Sequence, residues 1–240
     1  MKILIIHEID WEKKVVFEPH HLAELFSIQG HEVFVIDCAQ PNSKDFIKGM
    51  HTRTLTNYSR VYENANITLI RPASFLVKGF NRMTHYLACK KIIEKTIQEK
   101  GIEKIFLYGS ITNGAQTIKI AQERKIPVIY RVLDISHELI NMKGIKQIAK
   151  KLESKVISNA NLVLTTTNDL SRYAIEMGAK KNDVEVFPLG VNFQDFKPME
   201  KSSELQKELD IKEKDKVIIF VGTMYTFAGI ENIINEFSLF

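Results

Sequence analysis

The sequence predicts an α/β protein built on a parallel sheet with helices on both faces. Two observations carry this expectation. Short runs such as KILII (Lys2–Ile6) and PVIYRV (from Pro127) are apolar on consecutive residues, as a strand buried on both faces requires. Between them lie longer segments with apolar residues at helical spacing, closed by glycine or proline. Strand and helix patterns that alternate along a chain indicate a parallel sheet joined by crossover helices.

Lys2–Ile6 is the first strand. Pro19 suits the first turn of a helix, where its missing N–H costs nothing; Leu22, Leu25 and Phe26 form that helix's apolar stripe and Gly30 is placed to end it. His31–Asp37 is the second strand. Residues 38–66 are polar and irregular and read as a long insertion or loop. Ile67–Arg71 is the third strand, and a long helix runs from about Arg82 to Lys100 before Gly101. Lys104–Gly109 is a strand, Asn113–Arg124 a helix, Pro127–Asp134 a strand and Lys143–Ser158 a helix. In that last helix Ile145, Ile148, Leu152 and Val156 form an apolar stripe. Asn161–Thr167 is a strand, Asn168 caps a short helix ending at Gly178, and Val184–Phe187 is the seventh strand. Pro188, Gly190 and Pro198 then mark a linker, after which KVIIFVGT from Lys216 reads as a strand and the segment from Gly229 as a helix.

Apolar residues at 45% support a proper core, and 240 residues allow one large domain or two smaller ones. The net charge of +4 is too mild for a nucleic-acid protein. Cys38 and Cys89 have no metal-like spacing and suggest no disulfide framework, which favours a reducing, cytoplasmic setting. The first apolar run is broken by His7 and Glu8, too soon for a signal peptide, and no run approaches a membrane span. The loop after the first strand, HEIDWEKK, lacks the glycines of a dinucleotide site, and the phosphate-loop pattern is absent.

The stretch VEVFPLGVNFQDFKP, Val184–Pro198, resembles the interdomain hinge of the GT-B glycosyltransferases of group 1, where a strand ending in Pro-x-Gly-Val and then aspartate or asparagine, and a phenylalanine-proline pair, lead into the second domain. The resemblance implies an acceptor-side domain over residues 1–187, a linker over 188–200, and the start of a donor-binding domain over 201–240. It further implies transfer of a sugar from a nucleoside diphosphate sugar, the co-substrate, to the hydroxyl of a glycan or lipid-linked acceptor. The outcome would be retention at the anomeric carbon, with neither metal nor cofactor. On that likeness the 240 residues are an incomplete portion that does not catalyse alone. A non-catalytic partner that binds acceptor, and a GT-B-fold sugar-nucleotide epimerase, are the alternatives.

Ligands of open α/β sheets sit beyond the carboxyl ends of the strands, which selects His7, Glu8, Arg71, Gly109, Ser110, Asp134 and His137, and the residues from Gly222 onward. By family likeness Asp134 and His137 are the expected catalytic residues. Asp134 could bind a sugar hydroxyl or steady charge at the anomeric carbon, or it could cap the following helix or pair with Arg131. Glu8, Arg71, Gly109 and Ser110 are expected on the acceptor side. The turn YGSITNG offers backbone N–H groups to an anion or sugar, while Ser110, Thr112 and Asn113 equally suit a helix cap. His20 and His21 read as packing at a helix start. Gly222, Thr223 and Gly229 are expected at the donor diphosphate, although Thr223 and Ala228 stand where the family usually carries cations. The helix Lys143–Ile157 carries five lysines over its apolar stripe, which reads as a solvated face or as peripheral contact with an anionic membrane.

Overall fold

A computed structural model of the chain describes residues 1–39, 51–74, 81–140, 142–193, 196–222 and 228–237. The described residues fall into two compact units, Met1–Gly190 and Val191–Phe240.

The first unit is built on strands β1 (Lys2–Ile6), β2 (Glu32–Ile36), β3 (Arg53–Tyr58), β4 (Ile67–Arg71), β5 (Lys104–Leu107), β6 (Val128–Val132), β7 (Leu162–Thr165) and β8 (Val184–Val186). They form one sheet in the order β3-β4-β2-β1-β5-β6-β7-β8. Every pairing is parallel except β3 with β4. The connecting helices are α1 (Glu18–Ile28), α2 (Asn81–Lys100), α3 (Gly114–Arg124), α4 (Lys143–Asn159) and α5 (Asn168–Glu176). Alternate residues of each strand serve opposite layers. Leu4 and Ile6 join Ile93, Ile118, Val156 and Ala174 under α2 to α5, while Ile3 and Ile5 pack with Trp11 and Ala23 under α1. From β1 the chain steps to β2 and β4 on one side, then returns to β5 on the other. The carboxyl ends of β1 and β5 therefore flank the switch point, where an α/β sheet opens a crevice.

Several expectations are corrected. The 38–66 segment is not all loop: β3 lies within it and adds an antiparallel edge, while residues 40–50 lie outside the described residues. Its return loop is pinned by the buried Glu24 carboxylate, which accepts the N–H groups of Arg60, Val61 and Tyr62 at 2.6, 2.9 and 2.8 Å. Thr167, not Asn168, caps α5, its hydroxyl accepting the Leu170 N–H at 3.2 Å. Ile145 and Ile148, at the start of α4, are 46% and 61% exposed, and the buried apolar residues of that helix are Ala149, Val156 and Ile157.

The second unit contains α6 (Ser203–Glu208), capped by Ser202, and α7 (Ile230–Phe237). The strand expected from Lys216 is not formed over its described residues. A ladder needs a neighbouring strand, and this unit has none among its described residues, so Ile219 and Val221 stand 75% and 89% exposed.

Candidate active site

The loop after β1 supplies the first component. Its Glu8 side chain crosses to the turn after β5, where one carboxylate oxygen accepts the N–H groups of Thr112 and Asn113 at 2.7 and 2.8 Å. Arg82, on the first turn of α2, donates to the other oxygen at 3.1 Å and to the Thr112 hydroxyl at 2.7 Å. The carboxylate thus sits on the positive end of α3. Gly109 makes this approach feasible, because a Cβ there would lie 2.4 Å from Glu8 Cγ. Capping by Ser110, Thr112 or Asn113 is accordingly corrected: Asn113 occupies the cap position without a capping side-chain bond, and Glu8 holds the two N–H groups just before the helix. Ser110 is buried beside Tyr130, whose phenol is pushed up by burial.

Beside this turn lies an unexpected ion pair. Arg131 of β6 is 1% exposed and donates from Nε and Nη2 to the two Glu18 oxygens at 2.7 and 2.5 Å. Tyr108 Oη donates to Glu18 at 3.2 Å, and the Phe187 ring lies 5.1 Å from the guanidinium. His7 stacks on Tyr108 at 5.1 Å, and burial holds its pKa down at about 3. The pairing of Asp134 with Arg131 is therefore not what forms. A charge inside an apolar strand was the sequence signal that Arg131 needed a carboxylate; nothing local pointed to one 113 positions away.

Asp134, just beyond β6, is exposed and makes no hydrogen bond or ion pair with the described residues. It does not cap the following 3-10 turn, Ser136–Leu139, whose cap position is Ile135. His137 stands in that turn but is only 4% exposed. Its Nδ1 lies 2.7 Å from the fully buried Glu153 of α4, whose oxygens also accept the N–H groups of Ser136 and His137 at 3.1 and 3.2 Å. Asp134 thus faces solvent while His137 is built into the packing of α4.

Arg71, at the end of β4, lies in a second network. Its Nε donates to both oxygens of Asp37 at 3.0 Å, its Nη2 to Asp10 at 2.8 Å and also to Asp37, and its Nη1 is 2.9 Å from Glu12. The five donors of a guanidinium are directed here to three carboxylates, which fasten the loop after β1 to β2 and β4. His20 Nε2 lies 3.1 Å from the Trp11 carbonyl and His21 Nδ1 lies 2.9 Å from Tyr62 Oη, in keeping with packing roles. Both cysteines are buried, and burial pushes Cys38 up to about 12. In the second unit, Gly229 adopts φ +70°, Gly222 closes a described stretch, and Thr223 lies outside the described residues. Among the described residues, no cluster of three or more His, Cys, Asp or Glu is arranged to hold a metal, and no helix is long and apolar enough to cross a membrane.

The profile of the family described as Glycosyltransferase Family 4 matches residues 20–195. Among similar solved structures is Alr3699/HepE of Anabaena in complex with UDP-glucose, at 14% identity and a TM-score of 0.52, covering 88% of this chain and 50% of that one. Sucrose-phosphate synthase of Thermosynechococcus elongatus is 13% identical at a TM-score of 0.51, covering 81% of this chain and 92% of that one. UDP-N-acetylglucosamine 2-epimerase of Rickettsia bellii is 14% identical at a TM-score of 0.47, covering 78% and 44%. The chain spans about half the length of HepE and less than half that of the epimerase. No curated protein sequence matches it. At these identities the likeness to solved structures is one of fold.

Proposed function

Because the chain belongs to Glycosyltransferase Family 4, we propose that it forms the acceptor side of an enzyme that moves a sugar from a nucleoside diphosphate sugar to an acceptor hydroxyl. The observation that carries this reading is the exposed, unengaged Asp134 carboxylate at the carboxyl edge of the sheet, one strand over from the switch point. As the diphosphate departs, positive character builds on the anomeric carbon. A carboxylate free of protein partners can steady that charge or hold a sugar hydroxyl, whereas one already neutralised by arginine cannot do so as well. His137 and Glu153 would act by holding the turn that follows Asp134. The donor diphosphate would meet the backbone from Gly222 and the start of α7 near Gly229, and the anomeric configuration would be retained without a metal. The Thr112 and Asn113 N–H groups are occupied by Glu8, so the acceptor side would offer hydroxyl-binding groups rather than an anion cradle.

The test uses a protein in which this chain is joined to a complete donor-binding unit. Donor affinity is read by calorimetry, and turnover by donor hydrolysis and transfer. Asp134→Asn should leave donor affinity within about twofold while lowering turnover by about 10²-fold, the scale of one lost charge-stabilising group. Unchanged turnover would return Asp134 to a surface role.

A further inference from the structure

We infer that Glu8 is a specificity residue: its carboxylate stands in for an anion beside the start of α3, and so directs the acceptor side toward neutral, hydroxyl-bearing molecules and away from phosphorylated ones. Two adjacent backbone N–H groups, the positive end of a helix and a guanidinium are together what a phosphate group binds. All three meet at the turn after β5, and Glu8 occupies them. Its Oε1 accepts the N–H groups of Thr112 and Asn113 at 2.7 and 2.8 Å, and Arg82 Nη1 donates to its Oε2 at 3.1 Å. The Glu8 side chain is only 10% exposed and lies against Gly109, where a Cβ would come within 2.4 Å of it. Arg82 is 58% exposed, so the cluster opens to solvent on the guanidinium side, where a ligand can reach it.

The other arginines at the strand ends are engaged in the same manner. Arg131 is held by Glu18, and Arg71 by Asp10, Glu12 and Asp37. His7, stacked on Tyr108, is kept neutral by its burial. Asp134, after the neighbouring strand β6, adds a negative charge with no partner among the described residues. A phosphate arriving here would have to displace a carboxylate that is tethered beside its donors and competes intramolecularly, and would still face the remaining acids. A sugar or polyol hydroxyl carries no charge for them to repel, and it can donate to a carboxylate oxygen. What the excluded and admitted molecules are used for rests on the transferase reading above; the exclusion itself rests on these contacts alone.

The experiment titrates the chain and its Glu8→Ala variant with paired probes, glucose against glucose 6-phosphate and glycerol against glycerol 3-phosphate. The amide signals of Thr112 and Asn113 are followed by two-dimensional NMR. With the unaltered chain, the phosphorylated member of each pair should bind no more tightly than the neutral one. In Glu8→Ala the phosphorylated member should gain about tenfold or more relative to its neutral partner, the scale of one charge-assisted hydrogen bond, and should move both amide signals. Adding Arg82→Ala should remove most of that gain. A merely structural Glu8 would alter both members of a pair alike. Glu8→Gln keeps an oxygen for the N–H groups and loses the charge, so it should shift the ratio in the same direction and serves where Glu8→Ala does not fold. Tighter binding of the phosphorylated probes by the unaltered chain, or an unchanged ratio in the folded variant, would overturn the inference. Donor hydrolysis by the joined protein reads the transferase proposal separately. Its absence alongside a shifted ratio would refute that proposal alone, and its presence alongside an unchanged ratio would refute this one.

Discussion

Substituting Gly109 by alanine tests the most specific contact at the sheet's carboxyl edge. The added Cβ would sit 2.4 Å from Glu8 Cγ, 2.7 Å from Cδ and 2.8 Å from Oε1, and these are the three heavy atoms nearest to it. The Glu8 side chain has to leave, and with it go the bonds to the Thr112 and Asn113 N–H groups at 2.7 and 2.8 Å. Hydrogen bonds to a charged group contribute about 1.5–3 kcal/mol each, part of which water returns, so Gly109→Ala should cost about 3 kcal/mol. Glu8→Ala should cost a similar amount by itself. In the Glu8→Ala background the obstacle is gone, and Gly109→Ala should be nearly neutral, or stabilising by up to about 0.5 kcal/mol through the less flexible unfolded chain. The double variant should thus be more stable than additivity predicts by about 3 kcal/mol. Urea unfolding followed by fluorescence of Trp11, the sole tryptophan and fully buried in the first unit, reads this unit directly. Costs that add to within about 0.5 kcal/mol would show that Glu8 does not fill this space.

Other expectations concern buried charge. Burial holds His7 at about 3 and His85 at about 4, below the usual 6.5, so both stay neutral in the folded chain as the pH falls. The unfolded chain takes up those protons first, so stability is present above pH 6.5 and declines below it, by about 1.4 kcal/mol per pH unit for each histidine. Between pH 6.5 and 5 the loss is about 2 kcal/mol per histidine, and His7→Phe should remove one share of that slope; an unaltered slope would count against a buried neutral His7. Arg131→Met alone or Glu18→Leu alone should destabilise by about 3–5 kcal/mol, while the double replacement should recover most of it. Thermal unfolding checks this, and a double variant as unstable as the worse single one would show that the pair is not the isolated buried unit described.

Much of the fold was legible because its signals are local. Leu4, Ile6, Ile3 and Ile5 fill both layers from four consecutive residues, so β1 could be read from composition alone. The punctuation was equally local: Gly30 follows α1 with φ +83°. Strand β3 was not legible, since RTLTNY is mostly exposed at an edge and owes its form to pairing with β4. Helix α4 was legible in its stripe but not in its depth: Ile145 is in phase with the buried Val156 and is nonetheless half exposed at the helix start.

The site was legible in its positions but not in its partnerships. Strand ends could be counted, and Glu8, Gly109 and Asp134 do lie on the same edge of the sheet. Which of them is engaged depends on contacts that span 104 residues for Glu8 with Thr112 and 113 for Glu18 with Arg131. Local preference pointed to a hydroxyl or amide cap on α3, yet the loop after β1 opens beside the turn after β5 because those strands are neighbours. There a carboxylate beside a helix amino terminus gains from the dipole as well as from two N–H groups just before the helix. The consequence bears on chemistry. A phosphate approaching that terminus would meet a negative charge already in place, whereas the exposed Asp134 carboxylate on the same edge has no partner among the described residues.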